Sequence, residues 1–202
     1  CVGPAQIQPL LNAAFAEGVD GAAPVRNAAR IEAGLLWFLY ASVFKEANSC
    51  ATTAKDCDSS YAYYTGGEPR ESGLGLARYT RLRSLQAHGR VWDGLLAVRC
   101  WRDLDHPAGE AEDLALRDRA TAQLDRALLR AVALIVRQRA GMLPCDAAWQ
   151  SVRILGPVLD REATLRDPAN AARLRAEVGR AAPDEVDVPA LVAALDALFP
   201  CP

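Results

Sequence analysis

V-R-N-A-A-R-I-E-A-G-L-L-W-F-L-Y-A-S-V-F-K-E-A-N, residues 25–48, decides the fold class. The stretch has no proline or other breaker run. Ile31, Leu35, Phe38, Leu39, Ser42 and Val43 recur at intervals of three and four, the spacing of one helical face. Leu36, Trp37, Tyr40 and Phe44 widen the stripe, which predicts a long central helix buried on most sides. Upstream, Pro4–Glu17 carries Ile7, Leu10, Leu11, Ala14 and Phe15 in the same register, and G-V-D-G-A-A-P (18–24) reads as a turn. Downstream, a short helix is expected over 58–64 with Asp58 or Ser59 as its N-cap. G-G-E-P-R-E-S-G-L-G (66–75) then interrupts regular structure. A helix over about 76–104 follows, bent at Gly89 or Gly94, with others over about 110–140, 146–155, 168–181 and 188–199. Strand-like alternation is absent beyond very short runs, and no solenoid repeat stands out. The expectation is an all-α antiparallel helical bundle, with a closed loop and a Gly-rich loop after the central helix. It forms one domain over 1–202, divisible into halves at 1–106 and 107–202.

Composition narrows the function classes. The chain has 202 residues, 51% hydrophobic, and a formal net charge of -2. Lys45 and Lys55 are its only lysines. A nucleic-acid surface needs clustered positive excess, which this balance does not supply. No apolar run approaches the roughly 20 residues of a membrane-spanning helix. The chain starts at Cys1, and its one methionine is Met142. That implies a cleaved signal peptide and a mature lipoprotein carrying its lipid on Cys1, periplasmic or at the cell surface, with the outer membrane the expected anchor.

Six cysteines stand at 1, 50, 57, 100, 145 and 201. With no C-x-x-C and only His88 and His106, structural zinc is not expected. Disulfides in an oxidising compartment fit better. Cys50 and Cys57 bracket the polar loop A-T-T-A-K-D and are the first expected pair, and Cys100 with Cys145 is the second. Cys201 is left with Cys1, or alone if Cys1 is acylated.

Three constellations bear on chemistry. Glu32, Glu46 and Asp58 combine with Tyr61, Tyr63 and Tyr64 into an oxygen-rich segment suited to a hard cation such as ferric iron or calcium. Glu32 and Glu46 share a helical face but lie about 21 Å apart along it, so they cannot hold one ion together. Asp58 or Tyr61, brought back by the closed loop, is the expected companion of Glu46. The alternative makes Glu46 a surface carboxylate, Asp58 a helix cap and the tyrosines a packing cluster. In the second constellation, Trp92 and Trp101 are nearly aligned beside Arg99 and Arg102, as either an interface strip or a pair of core anchors. His88 stacks on Trp92 at i, i+4 but lies on a different face from Asp93. The third, E-A-E-D-L-A-L-R-D-R (110–119), reads as a solvated ion-paired face.

Tyr40, Lys45-Glu46, the acidic lead into S-Y-A-Y-Y-T-G-G (60–67) and S-G-L-G-L-A-R-Y (72–79) carry a resemblance. Over about Ile31 to Asp103 the chain resembles the secreted iron-assimilation (Fea-type) proteins of algae and their bacterial relatives. It is more loosely similar to imelysin-type iron-regulated periplasmic proteins. The resemblance implies an extracytoplasmic helical protein linked to iron acquisition, with Glu46 and Asp58 matching the family's acidic positions. The imelysin G-x-H-x-x-E pattern is absent, and Lys45 stands where a histidine often precedes the helix glutamate.

No G-x-S-x-G elbow, phosphate-binding G-x-x-x-x-G-K-[ST] loop or H-E-x-x-H motif is present. The leading expectation is therefore a non-enzymatic, lipid-anchored binding protein, for a metal ion such as iron. Its alternative is a structural or accessory lipoprotein subunit docked on an envelope protein partner through Trp92 and Trp101. A third is an enzyme using the Gly-rich loop as a lid over Glu46 and His88.

Overall fold

Hydrophobic periodicity, caps and glycine stops build a chain of helices, and the computed structural model describes residues 4–105 and 112–200 of it. Among these residues there is no strand, so the protein is all-α. None of the helices is long and apolar enough to cross a membrane. Two compact units divide the chain, one over Cys1–Phe38 and Val132–Pro202, the other over Leu39–Ala131. They are not the sequential halves expected at residue 106. The second unit is an insertion in the first, because the long helices at Pro24–Ser49 and Leu114–Ala140 each contribute to both.

The first unit begins with α1, Pro4–Val19, and continues into α2, Pro24–Ser49. Leu10 and Leu11 of α1 pack where Gly34 has no side chain, and Arg30 reaches back to Glu17 at 2.8 Å, as antiparallel neighbours do. The buried seam of α2 here is made by Ala29, Ala33 and Leu36, while Leu35 and Phe38 are exposed. The expected large-residue face is thus rotated toward small residues, which let a neighbouring backbone come close.

In the second unit, α3, Lys55–Thr65, folds back antiparallel on α2. A Cys50–Cys57 disulfide closes the loop between them, and the Ser60 hydroxyl donates to the Val43 carbonyl at 2.9 Å. The helix ends at Gly66, whose left-handed φ of 70° lets its N–H reach the Ala62 carbonyl. Its start has no side-chain cap, so Asp58 and Ser59 lie inside the helix rather than before it.

The expected 76–104 helix is two helices, α4 (Gly75–Arg81) and α5 (Leu85–Asp105). The break falls at Ser84, whose hydroxyl accepts from the Ala87 N–H at 3.0 Å as an N-cap, and not at either glycine. A similar cap opens α6, Leu114–Ala140, where Asp113 accepts from the Leu116 N–H at 2.8 Å. Along α6, Leu124, Leu128, Val132, Ile135 and Val136 are buried as the periodicity requires, while Leu114 is exposed.

Back in the first unit, α7 spans Asp146–Leu155 and runs into a 3-10 turn, Gly156–Leu159, and then α8, Asp160–Arg166. Helix α9, Pro168–Val178, is capped by Asp167, and α10, Val188–Leu198, by Asp187. Buried Glu177 ties α9 to the start of α10, accepting from Arg180 at 2.8 Å and from the Asp187 N–H at 2.9 Å.

Candidate functional site

The carboxylate and tyrosine set is not gathered into one site. Glu32 accepts from Arg139 at 2.8 Å, four turns back along α2 from Glu46. Glu46 accepts from its neighbour Lys45 at 3.0 Å. Asp58, with a side chain 75% exposed, takes the Arg99 guanidinium at 2.6 Å. Tyr61 donates its hydroxyl to the Glu68 carbonyl at 2.8 Å and sets its ring edge against Trp92. Each expected ligand therefore has a different partner. Among the described residues no group of three His, Cys, Asp or Glu side chains is placed to hold a metal ion. Asp58 is an exposed, ion-paired carboxylate, whereas the Glu46 side chain is largely covered, only 14% exposed, beneath its exposed partner Lys45. Tyr61 works as a packing residue against Trp92.

The other expectations divide. Cys50 and Cys57 are bridged. Cys100 and Cys145 are both free and exposed, so the second expected bridge is not made. Cys1, the expected point of lipid attachment, and Cys201 lie outside the described residues. Trp92 and Trp101 are core anchors and not an interface strip. The Trp101 indole donates to the Asp113 carbonyl at 2.7 Å and packs with Ala51 and Leu116. His88 is buried, with Nε2 2.8 Å from the Arg70 carbonyl and Nδ1 3.0 Å from the Tyr64 hydroxyl. A carbonyl only accepts, so Nε2 carries the proton and Nδ1 accepts from Tyr64. Burial holds His88 below the ordinary histidine pKa and pushes the Tyr64 hydroxyl up. This knot pins the Gly-rich loop through Arg70, leaving neither His88 nitrogen for a substrate beneath a lid.

A cleft of about 460 Å³ lies instead in the first unit, where α7, the 3-10 turn and α9 meet. Leu174, Val178 and Pro157 give it apolar walls, and Arg153, Asp160 and Arg175 give it charged edges. Gly156 lets the turn approach α9, since a Cβ there would stand 2.8 Å from Val178 Cγ2. Trp149, one helical turn before Arg153, is buried and holds the guanidinium 5.8 Å above its ring centroid. Arg175 gives Nη1 to Asp160 at 2.5 Å and to Thr164 at 3.0 Å. Arg153 has no hydrogen bond or ion pair to any described residue. None of the residues expected from sequence lies in this cleft. The Trp149–Arg153 spacing and the helical pattern of D-R-E-A-T-L-R (160–166) are the available signals, but the cleft closes only when α9, Pro168–Val178, packs back on α7 and the 3-10 turn.

No family model, no curated protein and no solved structure matches this chain.

Proposed function

We propose that this chain is a non-catalytic helical binding protein working in an oxidising, extracytoplasmic compartment, with its ligand held in the cleft between α7 and α9. One observation carries the reading: a cleft of small-molecule size has apolar walls and, at its edge, an arginine with no acidic partner among the described residues. The Cys50–Cys57 bridge supports the compartment, because such bridges persist where thiols oxidise.

Thermal-shift screening of the purified protein against small amphipathic molecules tests the site. Hits should raise the melting temperature of the wild type and lose their effect in Pro157→Trp, which adds bulk at an exposed position of the cleft wall. An absence of hits, or hits that ignore the variant, overturns the cleft as a binding site. Size exclusion of native extracts separates this reading from the accessory subunit of an envelope complex, which co-migrates with a large assembly.

A further inference from the structure

We infer that the cleft takes a monocarboxylate carried on an apolar body, with Arg153 as the group that receives the carboxylate. The inference rests on the binding reading above and names its ligand class. Among the groups lining the cleft, two are cationic, Arg153 and Arg175, and one is anionic, Asp160. Asp160 already neutralises Arg175 through Nη1, so the surplus is a single positive charge on Arg153. One negative charge matches that surplus. A phosphate dianion would bring a second charge toward Asp160 with no cation left to meet it.

Geometry narrows the class further. The Arg153 guanidinium rests over the face of Trp149, a ring that is itself immobilised by burial. A planar fork held in this way presents two N–H groups side by side, the arrangement that two carboxylate oxygens accept together. Arg175 keeps Nη2 and Nε free of partners among the described residues, and these can meet a second polar group on the ligand. Beyond the charged edge the surface is Pro157, Leu174 and Val178, so the body that follows the carboxylate is apolar.

Calorimetric titration with 1-naphthoate, 1-naphthalenemethanol and inorganic phosphate tests the assignment. Wild type should bind naphthoate saturably, about tenfold more tightly than the neutral alcohol, with no saturable phosphate binding. Arg153→Gln, at an exposed position, should melt like the wild type and bind naphthoate only as weakly as the alcohol. Arg153→Lys, keeping the charge without the fork, should fall between the two. Naphthoate and alcohol binding equally, with Arg153→Gln without effect, overturns the carboxylate and leaves the cleft as an apolar site. Phosphate binding as tightly as naphthoate overturns the apolar body. Failure of every probe on the wild type overturns the inference and the binding reading together.

Discussion

His88 shows how a residue that invites a functional reading becomes structural once its neighbours are fixed. Both ring nitrogens are engaged, one by the Tyr64 hydroxyl and one by the Arg70 carbonyl, and its ring lies stacked on Tyr64 and edge-on to Trp92. Replacing it by phenylalanine removes the donor to the part-buried Arg70 carbonyl and one of the two partners of the buried Tyr64 hydroxyl, which also bonds Thr80, and should cost about 1–3 kcal/mol in chemical denaturation. In the Tyr64→Phe background the same change should cost clearly less, a coupling that a double-mutant cycle reads directly. The pH dependence follows from burial, which lowers the folded-state pKa of His88 against the opposing hydrogen bond to the Arg70 carbonyl, with the Arg81 and Arg70 charges adding to the lowering. A group depressed on folding stabilises fully above its unfolded value, near 6.5, and loses that contribution as pH falls toward the folded value. Wild-type stability should therefore decline as pH is lowered below about 6.5, and the His88→Phe curve should lack that component. Equal slopes in the two proteins would remove the knot from the account.

Two glycines of α5 serve different purposes at the scale of the element, although in sequence they look like the same possible bend. A Cβ on Gly94 would stand 2.8 Å from the backbone Cα of Leu124, so Gly94 is where α5 and α6 touch. Gly94→Ala should destabilise by about 1–3 kcal/mol, because a backbone must move to make room. A Cβ on Gly89 meets only the Arg70 Nη2 end at 3.0 Å. That flexible tip can yield, so Gly89→Ala should be neutral or stabilise by up to about 1 kcal/mol. Parallel melts check the pair: a clear loss for Gly94→Ala and none for Gly89→Ala. The α2–α3 hairpin depends on its staple: a disulfide closing so short a loop is worth about 2 kcal/mol, and Cys50→Ser with Cys57→Ser should lose that amount. Iodoacetamide should label Cys100 and Cys145 in the native protein, and Cys50 and Cys57 only after reduction and unfolding. Helix existence was legible because periodicity and caps are local. The α4–α5 break is not legible at the glycines, because it is the Ser84 hydroxyl that makes the cap.

Across the whole molecule, the iron expectation meets the pairings found in the fold. Glu32, Glu46, Asp58 and Tyr61 each have a different partner, so a cation would have to displace Arg139, Lys45 and Arg99 separately. Titration with ferric iron should accordingly reveal no binding that Glu46→Ala or Asp58→Ala removes. A tight site lost in either variant would restore the iron reading. The set was legible as a list of oxygen donors, but whether they converge depends on which cation each carboxylate meets across helices. The same holds for Trp92 and Trp101: their alignment on α5 was readable, and their burial was decided by the elements packed over them.

Spacing along the chain determined the helical class, most helix spans and the Cys50–Cys57 staple, because each depends on neighbours a few residues away. Tertiary structure alone decided the division into Leu39–Ala131 and the remainder, the alanine seam of α2 and the cleft at Arg153. These arise where separate helices meet in space. There, the charge or shape of one residue is completed by another that no local pattern identifies.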